Sequence, residues 1–378
     1  MELKIVNFIK SHSNWEELLT SSPYNLSIKR DGKLILFKYN QINSDFNEEI
    51  CCEARGLILE EGTWKVVRMA FKKFFNIGES YAAKIDWNTA VATEKIDGSI
   101  ISVFYYDGKW RIATNSTIDA FKAELSGAGP YKTFGELFES VLPLSNFASC
   151  KHNFCFTFEL VSPYNKIVID YPETKVYILS IRNLNTFKEV DDLDMRDFSN
   201  YMAVERPQVY NLNNEADYRK VVEQMPEGHE GIVVRDANGE RVKIKTLLYF
   251  QMHKAKNNGV LTLERIVDLI RANDHYEFLS YFPEYQSIFD KVKHQLDRVE
   301  VVKEKVQQDV AQWKRDNAEV YEQDARMARK WFAQDLGKSK YGALYFAEYD
   351  GNFDEFVTGR TTSQFISLFK IELPKEDK

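Results

Sequence analysis

A lysine acts as a covalent nucleophile only through its neutral amine, and the company of Lys95 in TEKIDGSI sets it apart from an ordinary solvated lysine. Asp97-Gly98 makes a sharp turn that presents the side chain before it, and Gly98 leaves room for a ligand backbone. Lys243 and Lys245 in VKIKT stand two apart on a strand and share a face, while Val242, Ile244 and Thr246 take the other. Turned toward Lys95, those two cations would favour the uncharged amine and neutralise phosphate oxygens as charge develops in a transfer reaction. The plainer alternative is an exposed amphipathic strand.

Two carboxylates have unusual settings. Glu159 lies among apolar residues in FTFELV, where an acid needs a partner or a metal, and Glu230 precedes Gly231 at the head of IVVRD. Hard oxygen ligands of this kind suit Mg²⁺, which keeps most of its waters and bridges phosphates. Residues 241–256, RVKIKTLLYFQMHKAK, carry five Lys or Arg, no carboxylate, and the aromatics Tyr249 and Phe250. That segment is the best candidate for a phosphate backbone with base stacking.

The elements that must position these groups read as paired strands over the first two thirds of the chain. Four hairpins are expected, with two-residue turns at Asp31-Gly32, Glu61-Gly62, Asp107-Gly108 and Asn238-Gly239. Two more strand candidates, 153–160 and 175–183, have no neighbour of this kind and are expected to pair at longer range. Helices are interspersed: SNWEELL with Ser13 as its cap, and a segment around 133–142. Past the Asn257-Asn258-Gly259 break the period changes. Val292, Leu296, Val299, Val306, Val310 and Trp313 mark one buried face of a long helical stretch between Tyr285 and Asp335. The fold class expected is α+β: an antiparallel β-sheet domain with interspersed helices over 1–256, then an all-α C-terminal domain over 257–378.

At 378 residues, roughly 100–200 per domain, two domains are the natural division. A net charge of −7 means that any nucleic acid must be met by local patches, not by a basic whole. No stretch reaches the ~18 apolar residues of a membrane span, and no signal peptide is evident, so a cytoplasmic protein without membrane contact is expected. Cys150, His152 and Cys155 in CKHNFC match no strong zinc spacing, and free thiols are the better reading of the four cysteines.

Taken in order, CEARG with Arg55, FKKFFN with Lys73 and Phe75, KIDGS with Lys95, FTFELVSPYNKIVIDY with Glu159, EGIVV with Glu230 and VKIK resemble the covalent nucleotidyltransferases. More narrowly, they resemble the bacteriophage RNA ligase 1 family, ATP-dependent ligases of tRNA repair. Lys-x-Asp-Gly alone is common by chance, but the ordered series across 51–250 is not. The resemblance implies a nucleotidyltransferase domain in 1–256 and an RNA-specificity role for 257–378. It implies ATP with Mg²⁺ or Mn²⁺, a covalent lysyl-AMP at Lys95, transfer of AMP to an RNA 5′-phosphate, and joining to a 3′-hydroxyl. By position, Arg55 and Lys73 would meet the ribose–phosphate tail and Phe75 would pack near the nucleotide. Glu94 and Gly98 would line it, Glu159 and Glu230 would organise the metal through water, and Lys243 and Lys245 would hold the α-phosphate. Tyr249 would lie near the triphosphate. Expected partners are RNA ends, those of tRNA or of other single strands; a monomer with no obligate protein partner is expected.

One departure is plain: where the family commonly has a lysine after the third hairpin, this chain reads RIATNST, so a phosphate contact is either weaker or supplied by Arg111. Two rivals stand beside this reading. DNA ligases and mRNA-capping guanylyltransferases share the lysine chemistry but append a small β-barrel after the VKIK-type motif, where this chain turns helical. A non-catalytic RNA-binding module would have no need to keep Lys95, both glutamates and both late lysines.

Overall fold

Leu34, Ile35, Leu36 and Phe37 run without a polar break, the pattern of a strand covered on both faces. In the computed structural model they lie in a four-stranded antiparallel sheet, β1 (Ser27–Asp31), β2 (Leu34–Lys38), β3 (Arg55–Glu60) and β4 (Val66–Arg68), in that order. Ile35 and Phe37 pack on Ile5, Val6 and Ile9 of the helix Lys4–Ser11. Leu34 and Leu36 pack on Phe104 and Ala113 of the next sheet. The structure describes residues 2–373 except 42, 126–128, 213, 227, 248, 250–260, 272–274 and 359. It forms two compact units, Met1–Lys256 and Asn257–Lys378.

After β5 (Phe75–Asn76) and β6 (Val91–Glu94) come β7 (Ser99–Tyr106), β8 (Lys109–Thr114), β9 (Phe154–Val161) and β10 (Lys175–Asn183), then β11 (Val209–Tyr210), β12 (Gly231–Arg235) and β13 (Arg241–Lys245). The second sheet runs β10-β9-β7-β8, all antiparallel. The helix Phe134–Glu139, closed by a capping box from Thr133 and Glu136, packs against it through Leu137 and Phe138. The third sheet runs β11-β6-β12-β13-β5, with Tyr218 and Val222 of the helix Glu215–Gln224 filling its core.

Several local expectations are corrected. The first hairpin turns at Gly32-Lys33, one residue later than expected, because Asp31 pairs with Leu34. Only Asp107-Gly108 is the two-residue turn expected, between Tyr106 and Lys109. Glu61-Gly62 and Asn238-Gly239 sit in five-residue loops, since a register shift in β3 and an Asp236-centred turn end those ladders early. β9 and β10 pair with each other across 162–174. Ser13 is not a cap: that helix, Trp15–Thr20, begins after Asn14 with no capping hydrogen bond from a side chain. Among the strands of the described residues one pairing is parallel, β13 with β5.

The second unit is helical throughout its described residues, built on Gln286–Asp316, whose Val292, Leu296, Val299, Val306, Val310 and Trp313 are all buried. Two short helices, Ala318–Gln323 and Ala325–Asp335, complete the charged stretch. Among the described residues no helix is long and apolar enough to cross a membrane.

Within the first unit Glu189 gathers Arg182, Arg235 and Arg241. Burial opposes its ionisation, but the arginines outweigh that and hold the carboxyl down at about 2. An unfolded glutamate takes up its proton near ~4.3, so the network's stabilisation is complete above that pH and is lost as pH falls toward 2. Glu189→Gln should therefore cost on the order of 3 kcal/mol at neutral pH and progressively less in acid. Urea unfolding across pH tests this; equal stability of the two proteins at pH 7 would contradict it.

Candidate active site

β6 belongs to the five-stranded sheet and β7 to its four-stranded neighbour, so residues 95–98 are the crossing between two sheets. The Lys95 amide donates to Gly231 O at 2.8 Å, extending the β6–β12 ladder by one rung. Its Nζ donates to Glu230 Oε2 at 2.6 Å. Lys245, from β13, brings its Nζ to 3.2 Å from Glu230 Oε1. One buried carboxylate is thus shared between the nucleophile candidate and a buried lysine. The sequence pointed to lysines as the groups beside Lys95; the group it touches is an acid. The ion pair must open, or its proton must leave, before Nζ can attack.

Glu159 lies on β9, opposite Ile100 of β7, and is also buried. Burial pushes its carboxyl up to about 8; Glu230 and Asp97 add to the rise, and Lys95 and Arg55 oppose it. No ion pair reaches Glu159 among the described residues. Gly98 also lets β9 approach closely: a Cβ there would lie 2.5 Å from Leu160 O and 3.0 Å from Glu159 Cγ.

Asp97, read from sequence only as a turn former, is a hub. Its Oδ2 accepts from the amides of Val168 (2.8 Å) and Ile169 (2.7 Å), and its Oδ1 accepts from Tyr249 OH at 3.1 Å. Burial and the nearby Glu230 raise its carboxyl, while those amides oppose the rise. Tyr249 therefore props the crossing from beneath, 5.1 Å from the Lys245 ammonium. The remainder of the basic segment after it, 250–256, and the 257–259 break lie outside the described residues.

Phe75 is buried on β5, paired beside Val242, with Lys243 next to Asn76. Lys73 holds its ammonium over Tyr39, Phe46 and Phe75 at 5.2, 5.5 and 5.4 Å. Arg55 stacks on Phe74 at 5.1 Å and lies within electrostatic range of Glu159. Glu94 is engaged by His229, with Oε1 and Nδ1 2.6 Å apart, a partner that nothing in the sequence suggested. Arg111 lies over Tyr106 at 5.3 Å. Two cations from elsewhere reach the RIATNST turn: Arg68, whose Nη2 donates to Asn115 Oδ1 at 2.9 Å, and Lys38, whose Nζ donates to Ser116 Oγ at 2.6 Å. Cys155 is buried beside Arg68, and His152 stacks on Tyr105 at 3.5 Å. Among the described residues no three His, Cys, Asp or Glu side chains converge on a metal position.

An RNA ligase of Rhodothermus phage RM378 is 26% identical over 326 residues, covering 70% of this chain and 73% of its own. A protein of Autographa californica nuclear polyhedrosis virus, named as a bifunctional polynucleotide kinase/RNA ligase, is 28% identical over 276 residues; the match takes in 68% of this chain but spans only 38% of that relative. Among solved structures, an archaeal ATP-dependent RNA ligase covers 66% of each chain at 14% identity and a TM-score of 0.47. The family model described as RNA ligase matches residues 53–259. That match takes in more than half of the chain, including both sides of the 95–98 crossing, and on that ground this chain belongs to the RNA ligase family.

Proposed function

We propose that the chain is an ATP-dependent RNA ligase that joins 5′-phosphate and 3′-hydroxyl ends through a lysyl-AMP at Lys95. The observation that carries this reading is the single carboxylate of Glu230 held between Lys95 and Lys245, with Glu159 buried alongside. In the first step Lys95 Nζ attacks the α-phosphorus of ATP. An N–P bond forms, the bond to the bridging oxygen breaks, and its electron pair leaves with pyrophosphate. Glu230 Oε2, already at 2.6 Å, is positioned to take the proton that Nζ sheds. Lys245 and Lys243 meet the charge developing on the phosphate oxygens. AMP then passes to an RNA 5′-phosphate, and a 3′-hydroxyl displaces it.

Glu159 fits a divalent cation: a buried carboxyl raised to about 8 with no ion pair among the described residues gains a counter-charge through a metal's water. Mg²⁺ or Mn²⁺ there would neutralise phosphate oxygens during transfer. Arg55 and Lys73 serve the ribose–phosphate tail, Phe75, Glu94 and Gly98 the nucleoside surroundings, and Tyr249 the support beneath. Among the described residues no strand follows Lys245, which favours RNA joining over the barrel-bearing DNA ligases and capping enzymes. Single-stranded ends, those of tRNA included, are the substrate class.

Incubation with radiolabelled ATP, GTP or NAD and Mg²⁺, followed by denaturation, tests the reading: ATP alone should label the protein. No label from any of the three would favour the non-catalytic RNA-binding module. The second unit, 257–378, we assign to RNA specificity. Removing it should cut joining more than labelling, and an equal loss of both would count against that assignment.

A further inference from the structure

The first sheet, β1-β2-β3-β4, carries a second cluster of positive charge. Phe37 pairs with Leu57 but Lys38 pairs with Arg55, so the extra residue Gly56 forms a bulge between β2 and β3. Gly56 has φ +72, and a Cβ there would fall 2.3 Å from Arg68 Nη1. The bulge sets Lys38 and Arg55 side by side across the ladder, and bulges of this kind re-aim side chains at sheet edges. Beneath them Arg68 is fully buried, donating to Gly56 O, to Ser102 Oγ at 2.8 Å and to Asn115 Oδ1 at 2.9 Å. Neither Arg55 nor Arg68 has a carboxylate within 4.0 Å among the described residues. Two neighbouring guanidinium groups of this kind are costly unless an anion completes them. Asn115 cannot give way to a cation here, because its side chain is already committed to the buried guanidinium. β2 adds a third cation at this corner: Lys38 is half-buried and its Nζ donates to Ser116 Oγ.

Lys95, on the crossing, and Arg55, on β3, both lie within electrostatic range of Glu159. In-line displacement places the leaving group opposite the attacking amine. With Lys95 and Lys245 on one side of the α-phosphorus, the departing group faces the Lys38–Arg55 side. We infer that Lys38 binds the β- and γ-phosphates of ATP and holds the pyrophosphate as it leaves, exchanging its bond to Ser116 for a charge-assisted one to phosphate. This rests on the lysyl-AMP reading and adds to it a residue absent from the motif series.

The test compares wild type, Lys38→Ala and Lys38→Arg in three measurements: the ATP dependence of labelling, the pyrophosphate dependence of label release from adenylylated protein, and joining of a pre-adenylylated RNA strand. Loss of one hydrogen bond to a charged phosphate should raise the ATP and pyrophosphate requirements of Lys38→Ala by about tenfold or more, with a smaller effect on joining. Lys38→Arg should recover most of the loss. Unchanged ATP and pyrophosphate requirements would overturn the inference, as would a loss confined to joining, which would place Lys38 on RNA. Equal loss in all three with a lowered melting temperature would reduce Lys38 to a structural support and also overturn it. Absence of label in wild type would bring down the lysyl-AMP reading itself, an outcome distinct from wild-type behaviour in Lys38→Ala.

Discussion

Lys95→Ala and Lys95→Arg should both take up no detectable label from ATP, a fall on the order of a thousandfold or more for loss of a covalent nucleophile. Alanine removes the attacking atom. Arginine keeps a cation within reach of Glu230 yet stays protonated, so it preserves the ion pair and not the chemistry. The contrast separates nucleophilic from electrostatic duty: if Lys95 served only to hold Glu230 or a phosphate, arginine would retain much of the activity. The fold should survive both changes, because Lys95 is about a quarter exposed and Glu230 keeps Lys245. Label persisting in Lys95→Ala would end the assignment.

The second large effect is expected at the late lysines. Removing a preorganised charge aimed at a developing oxyanion costs roughly a hundredfold to a thousandfold, and Lys245→Ala should slow adenylylation by that much at saturating ATP. Its consequences for the fold differ from those of Lys243→Ala. Lys245 is only 4% exposed and paired to a buried acid, so its loss should also lower stability by on the order of 1–3 kcal/mol. Lys243 is half-buried on the same strand, and its loss should leave the melting temperature close to wild type. Rates measured well below each variant's unfolding transition isolate the catalytic part, and wild-type rates in both variants would remove these lysines from the mechanism.

The parts of this molecule written locally were legible before any coordinates. Alternation in VKIKT told which side of β13 carries its lysines, and the helical period named six of the seven buried residues of Gln286–Asp316, missing Phe289. Turn positions were less legible, since Gly marks where a chain can reverse but not how many residues the loop needs; register shifts decided that in β3. What could not be read is contact between residues far apart in the chain. Asp97 meets Val168, Ile169 and Tyr249, Arg68 meets Asn115, and Lys38 meets Ser116. Each of these is a polar residue of unremarkable local setting whose role exists only once the sheets assemble. The segment SPYNKIVIDY shows the difference well: the series of motifs singled it out, and the structure supplies the cause, because its backbone amides cradle the acid two residues beyond the nucleophile.

The shared carboxylate of Glu230 also makes the pocket sensitive to its own progress. Once Nζ is bonded to phosphorus it no longer carries a positive charge, and Glu230 is left with a single cationic neighbour in place of two. The oxygen that faced Nζ, having taken its proton, no longer answers an ammonium. The loaded and unloaded proteins should therefore differ in charge and pairing at this corner of the pocket.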